Sequence, residues 1–127
     1  MVINVNYLQL NNIGCYKRAF SLSNYVWEIV TAWSWFPKKT MGSQFTQAID
    51  SISANLAEGF GRYNKKDKIK FYYYSFGSTK ESLDWNQKAK IRGLIKESQY
   101  LYILTELQVL PKEIHHLIRF TNLKLKI

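Results

Sequence analysis

Gln44–Arg62 reads QFTQAIDSISANLAEGFGR, and the spacing of its apolar residues decides the fold. Phe45, Ala48, Ile49, Ile52, Leu56, Ala57 and Phe60 recur at intervals of three and four, which gathers them on one side of an α-helix. Between them runs a polar set, Ser51, Asn55, Glu58 and Arg62, in which each successive pair faces the same way about one turn apart. Gly59 and Gly61 fall where the helical pattern closes, just ahead of a basic run.

The same period extends outward on both sides. Upstream, Leu22, Val26, Ile29, Trp33 and Phe36 predict a helix from Lys17 to Phe36, with Tyr25, Trp27 and Trp35 off its seam. Pro37 is expected to stop it, because a proline ring excludes helical geometry from the residue before it. Thr40 is then the expected cap of the motif helix, Met41 to Gly61. Downstream, Asn64 is a suitable N-cap for a third helix from Lys65 to Arg92, with Asp67 favourably placed in its first turn. Its expected buried row is Ile69, Tyr73, Phe76, Lys80, Leu83 and Gln87. Phe71, Tyr74 and Trp85 point elsewhere, which predicts burial on more than one side. Gly93 ends that helix. A fourth begins at Glu97 or Ser98 and buries Leu101, Leu104, Leu107, Ile114, Ile118 and Leu125. Pro111 falls inside it, and the apolar period resumes in phase, so a kinked but continuing helix is expected. Residues 1–15 read as an irregular arm and residues 16–127 as one domain. Four amphipathic helices with short joins predict an all-α, antiparallel up-down-up-down four-helix bundle.

Composition narrows the function. With 18 basic against 9 acidic residues, the 127-residue chain carries a net charge of +9, which favours polyanionic partners. The single cysteine, Cys15, forms no internal disulfide, in keeping with a reduced, cytoplasmic setting. The opening residues lack a signal-peptide pattern and no apolar run approaches the ~18 residues of a membrane span, so no membrane role is expected. Aromatic residues make up 16% of the chain, more than one small core hides. Some rings are therefore expected on a surface that another chain covers.

Catalysis finds little support. His115 and His116 are neighbours, point about 100° apart on a helix and do not grip one metal together. The paired Glu-x-x-His segments of di-iron bundles are absent, and no phosphate-cradling glycine loop precedes a helix. No metal or cofactor is expected. Ser51, Asn55, Ser78 and Glu81 are expected to form a polar network between the second and third helices, with Gly77 permitting their close approach. The candidate nucleic-acid contacts are Arg62, Lys65, Lys66, Lys68 and Lys70 at one turn, and Lys88, Lys90 and Arg92 at the far end of the third helix, with Tyr63 placed to stack on a base. No base-reading element is present, so such binding would tolerate many sequences.

The string SISANLAEGFGR (Ser51–Arg62), preceded by Gln44 and followed by the G-S-x-x-E of Gly77, Ser78 and Glu81, resembles the four-helix-bundle family of 23S ribosomal RNA intervening-sequence proteins. These bacterial proteins were first noted as reading frames inside insertions in large-subunit ribosomal RNA genes. The resemblance runs from about Tyr16 onward. It implies a four-helix protomer, a homo-oligomer with a pentamer favoured, no catalysis, and association with RNA or DNA. A related branch, the accessory proteins of diversity-generating retroelements, implies a protein partner such as a reverse transcriptase. Gln44, Ser51, Asn55, Glu58, Gly59, Arg62, Gly77, Ser78 and Glu81 become motif positions with a structural or interface role. Where relatives carry arginines just after the Gln44 position, this chain has Thr46 and Gln47, with Asp50 beside Ser51. A nucleic-acid surface built on those arginines is weakened here.

Overall fold

Four long helices make up the fold in the computed structural model, which describes residues 9–125. They are α1 (Gly14–Thr31), α2 (Ser43–Gly61), α3 (Lys65–Ile91) and α4 (Glu97–Lys124). No strand occurs among the described residues, and none of their helices is long and apolar enough to cross a membrane. Most of the expected N-terminal arm lies outside the described residues. Leu10–Asn12 form a single 3₁₀ turn, and α1 starts at Gly14, ahead of the Lys17 expected from the sequence.

The helices pack cyclically, α1 and α3 each against both α2 and α4. Gly59, late in α2, meets Tyr72, early in α3, while Met41 ahead of α2 meets Arg92 just after α3. Likewise Lys65 reaches the Asn122 carbonyl and Asn86 reaches that of Tyr100. Both pairs, α2 with α3 and α3 with α4, therefore run antiparallel, as their short joins require.

Two helix ends are built as the sequence indicates. The Asn64 side chain accepts from the Asp67 amide at 2.8 Å, satisfying one of the first-turn donors that have no partner in the helix. Gly93 takes a positive φ of 70°. There its amide donates to Lys90 O, and the next amide, Leu94, to Ala89 O, a paired closure that a residue with a side chain resists.

Pro37 acts differently from expectation. α1 ends earlier, at Thr31, and Trp35–Pro37 already form the first turn of the next helix, leading through a π-helical turn, Lys38–Gly42, into α2. A proline is tolerated in a first turn because its missing N–H would have had no partner there. Thr40 is consequently inside helical backbone and donates to Phe36 O at 2.8 Å instead of capping. Phe36 is exposed, not part of a seam. Gly42 packs where a Cβ would lie 2.8 Å from Val30 Cγ1, which brings the start of this helix hard against the end of α1.

The core is apolar on three helices and small and polar on the fourth. Leu22 and Val26 from α1, Phe45, Ile49, Ile52 and Leu56 from α2, and Ile103, Leu107, Leu110 and Ile114 from α4 are fully enclosed. α3 contributes Tyr72, Ser75, Thr79, Ser82, Asn86 and Ala89. The expected α3 row is thus rotated: Tyr73, Lys80 and Gln87 face out, and Ile69, Phe76 and Leu83 flank the buried face. The α4 row shifts too, onto Ile103, Leu107, Leu110, Ile114, Ile118 and Thr121, leaving Leu101 and Leu125 exposed. α4 continues unbroken through Pro111.

The buried hydroxyls of α3 satisfy themselves. Thr79 and Ser82 donate to the carbonyls of Ser75 and Ser78 one turn back, and Ser75 donates across to Ile52 O of α2 at 2.7 Å. Hydrogen-bonded in this way, they are buried without an unmet polar group. Their small size lets α2 and α3 close together. At Gly59 a Cβ would lie 2.7 Å from Tyr72 Cε1 and 2.9 Å from Lys68 O. A side chain missed by the sequence reading, Arg18, ties α1 to α4. It donates to Glu113 at 2.8 Å and to both oxygens of Glu106 at 2.9 Å. One guanidinium thereby bridges two carboxylates through charge-assisted hydrogen bonds, which are stronger than neutral ones.

The two glycines should respond in opposite senses. Gly59→Ala is expected to lower stability by about 1–3 kcal/mol through overpacking against Tyr72. Gly77→Ala, which meets nothing within 4 Å, should raise it by about 0.5–1 kcal/mol through helix propensity. Urea denaturation of both variants checks this.

High pH should also unfold the bundle early. Burial, with Glu113 nearby, pushes the Cys15 thiol from 9.0 up to about 11, and burial pushes Tyr72 from 10.0 up to about 12. Across these intervals the folded chain keeps protons that the unfolded chain has released, so stability is full below pH 9 and falls as pH rises toward 12. In Cys15→Ala the decline should begin about one pH unit later, as read from denaturant midpoints against pH.

Candidate nucleic-acid interface

The basic residues singled out from the sequence occupy the two ends of α3. Lys66 and Arg92 are separated by 26 residues of nearly continuous helix, roughly 40 Å at 1.5 Å per residue, so the two groups form separate patches. The first lies where α2 turns into α3, and its members differ in what they do.

Lys68 is structural. Its ammonium donates to Phe60 O at 2.6 Å and lies 5.4 Å from the Phe60 ring centroid. The carbonyls at a helix C-terminus lack partners and carry partial negative charge, so this lysine closes α2. Burial lowers its pKa below the usual lysine value. Lys65 is tied to the end of α4 through Asn122 O at 3.3 Å. Arg62 pairs with Glu58 at 3.6 Å and stacks over Phe71 at 4.5 Å. Lys70 stands 3.9 Å from Asp67 and 5.3 Å from the centroid of the same Phe71 ring. Such exposed pairs are worth under ~1 kcal/mol and are readily exchanged for a phosphate. Lys66 is exposed and has no ion-pair partner among the described residues. Tyr63 beside them is 81% exposed, and Tyr74 meets Phe71 edge-on at 5.4 Å. The corner therefore offers exchangeable cations interleaved with rings, while two of its five sequence candidates are committed to the fold.

At the other end Lys88 pairs with Asp84 at 2.7 Å and Lys90 with Glu97 at 3.5 Å. Arg92 contacts Met41 Sδ at 3.4 Å, and among the described residues it has no carboxylate partner.

The expected polar network does not form. Ser51 donates to Gln47 O, Asn55 to Ser51 O, and Glu81 accepts from Trp85 Nε1 at 3.0 Å. None of these bonds links the four residues across the two helices, and Gly77 is exposed, not a point of close approach. The glycine that does allow approach is Gly59. The remaining motif positions follow three-and-four spacing on the outer sides of α2 and α3. Arg62 and Phe71 join these stripes at one end, and Gln44 and Trp85 share a groove at the other. The signal that would have identified the true α2–α3 contact is the run of small residues Ser75, Thr79, Ser82 and Ala89 at helical spacing.

For metal chemistry, Glu113 and His116 on α4 do supply one Glu-x-x-His spacing. Glu113 is engaged by Arg18, and no group of three or more His, Cys, Asp or Glu side chains able to hold an ion converges among the described residues.

The surplus rings are on the outside, as expected. Phe20, Trp27, Trp35, Phe36, Tyr73, Tyr74, Tyr102 and Phe120 are all exposed, Trp35 by 68%.

Comparison with known proteins agrees with this architecture. The chain is similar to a crystal structure of a protein with unknown function from the S23 ribosomal protein family of Bacteroides thetaiotaomicron. The TM-score is 0.73 at 16% identity, over 82% of this chain and 97% of that one. At that identity the likeness speaks for the fold. No curated protein matches the chain. A family model described as 23S rRNA-intervening sequence protein matches residues 11–116, which is most of the chain. The chain belongs to the 23S rRNA-intervening sequence protein family.

Proposed function

We propose that this protein is a non-catalytic, homo-oligomeric bundle that binds nucleic acid through its basic corners without strong sequence preference. The observation that carries this reading is the α2–α3 corner, where Arg62, Lys66 and Lys70 stand exposed among Tyr63, Phe71 and Tyr74. Phosphates displace weak surface pairs and release counterions, and rings stack on unpaired bases. Self-association is supported by the exposed aromatic residues, whose cover by a second copy would remove much apolar surface from water. Oligomerisation would also multiply the corners offered to one polyanion. The cytoplasm, where such polyanions are found, is the setting this reading entails.

A second reading, an assembly scaffold for another protein such as a polymerase-like partner, is favoured by Trp27, Trp35 and Phe36, exposed rings remote in sequence from the α2–α3 corner. Pull-down from the host that recovers a protein partner and no nucleic acid would favour it over the first.

In a mobility-shift assay with structured RNA at about 50 and 200 mM salt, affinity should fall steeply with salt. The double variant Lys66→Ala, Lys70→Ala should bind about tenfold more weakly, and the slope of log affinity against log salt should shrink by about two. Lys68→Met should instead lower the melting temperature and leave that slope nearly unaltered. Absence of any shift at the lower salt rejects nucleic-acid binding.

Light scattering should give a mass that is a multiple of 15.0 kDa; a stable monomer rejects self-association.

A further inference from the structure

Away from the α2–α3 corner, a groove lies between the lead-in to α2 and the C-terminal end of α3. Phe36, Pro37 and Trp85 supply its apolar walls, and Gln44, Lys88 and Arg92 its polar groups. Its volume of ≈ 770 Å³ lies within the range of about 300–1,000 Å³ common for small-ligand sites. The Trp85 indole is held from one side by Glu81, which accepts its N–H at 3.0 Å, and is covered by the Lys88 ammonium at 4.6 Å. The ring is thus a fixed surface. Phe36 is 66% exposed although apolar. Arg92 carries a full charge whose side-chain partner is the Met41 thioether, a weak acceptor for a guanidinium. Two motif positions that play no part in the α2–α3 contact converge here: Gln44 lines the groove and Glu81 orients its wall.

A flat aromatic wall, a carboxamide and an unpaired guanidinium together match one chemistry, a planar heteroaromatic ring carrying an anion. We propose that the groove holds one unpaired nucleotide. Its base lies against Phe36 and, in place of the Lys88 ammonium, against Trp85, the Gln44 amide meets the base edge, and Arg92 holds the phosphate. The proposal rests on the nucleic-acid reading and sharpens it, because a base stacked within a duplex cannot present its face to Trp85. The groove therefore selects single strands, whereas the α2–α3 corner accepts any polyanion.

Intrinsic tryptophan fluorescence of the full-length protein tests this, with adenosine monophosphate, a ten-nucleotide single-stranded oligoadenylate and a duplex of the same length as probes. The single strand should quench the emission and the duplex should not. Arg92→Gln and Gln44→Leu, both at exposed positions and checked for unchanged helicity, should each weaken the single strand by about tenfold, and Arg92→Gln should reduce its salt slope by about one. Quenching by the mononucleotide identifies a free nucleotide as sufficient ligand, and quenching by the oligonucleotide alone identifies a unit of a strand; both support the groove. Equal response to duplex, or affinity unaltered in both variants, overturns it. A change that follows protein concentration with no nucleotide response identifies a second copy as the occupant and also overturns it. If structured RNA still shifts in a gel without any tryptophan signal, the groove fails and the basic corner stands. Quenching by the mononucleotide with no gel shift at any salt leaves the groove and removes the nucleic-acid role.

Discussion

The close contact of α2 with α3 is the constraint on which the rest of this bundle depends. Gly59 lies under the ring of Tyr72, and Ser75 donates to the backbone of Ile52. A side chain at the first point, or a bulky apolar residue at the second, would push the helices apart. Their approach brings the end of α2 within reach of Lys68, which satisfies the Phe60 carbonyl, and sets Arg62 over Phe71. The candidate binding corner is thus a consequence of core packing one turn further in.

The same contact explains how the chain distributes its positive charge. Lysines in a +9 chain suggest a single polyanion surface, but charge near a helix terminus also has internal uses. Lys68 and Lys65 answer carbonyls at the ends of α2 and α4, and Arg18 joins α1 to α4 through two glutamates. What remains outside is a smaller set, each member either unpaired or held by a weak exposed pair. Such a set is well suited to sequence-tolerant binding, since little has to be given up when a phosphate arrives.

Most of the motif polar residues lie on the outside. Ser51 and Asn55 bond within their own helix, and Glu81 restrains Trp85. Their regular spacing is that of a surface stripe beside a buried one.

Periodicity and end signals were enough to establish four helices, the apolar face of α2, the Asn64 cap, the Gly93 closure and the surplus of exposed rings. These follow from the local backbone and from the area that one small core can enclose. Three features could not be read locally. Pro37 permits either an ending or a beginning, and only the early close of α1 at Thr31 decides for a beginning. The buried face of α3 is lined with small hydroxyls, so hydrophobic spacing points to the wrong side; it becomes a core face because partners one turn back or across on Ile52 satisfy Ser75, Thr79 and Ser82. The division of lysines between capping and solvent was equally invisible, because identical side chains a few residues apart differ only in which carbonyl the folded chain brings near. The sequence by itself determined the helices and their total charge, since both depend on residues close together in the chain. Tertiary structure alone decided the buried faces of α3 and α4, the pairings and the groove, since each depends on which distant groups meet.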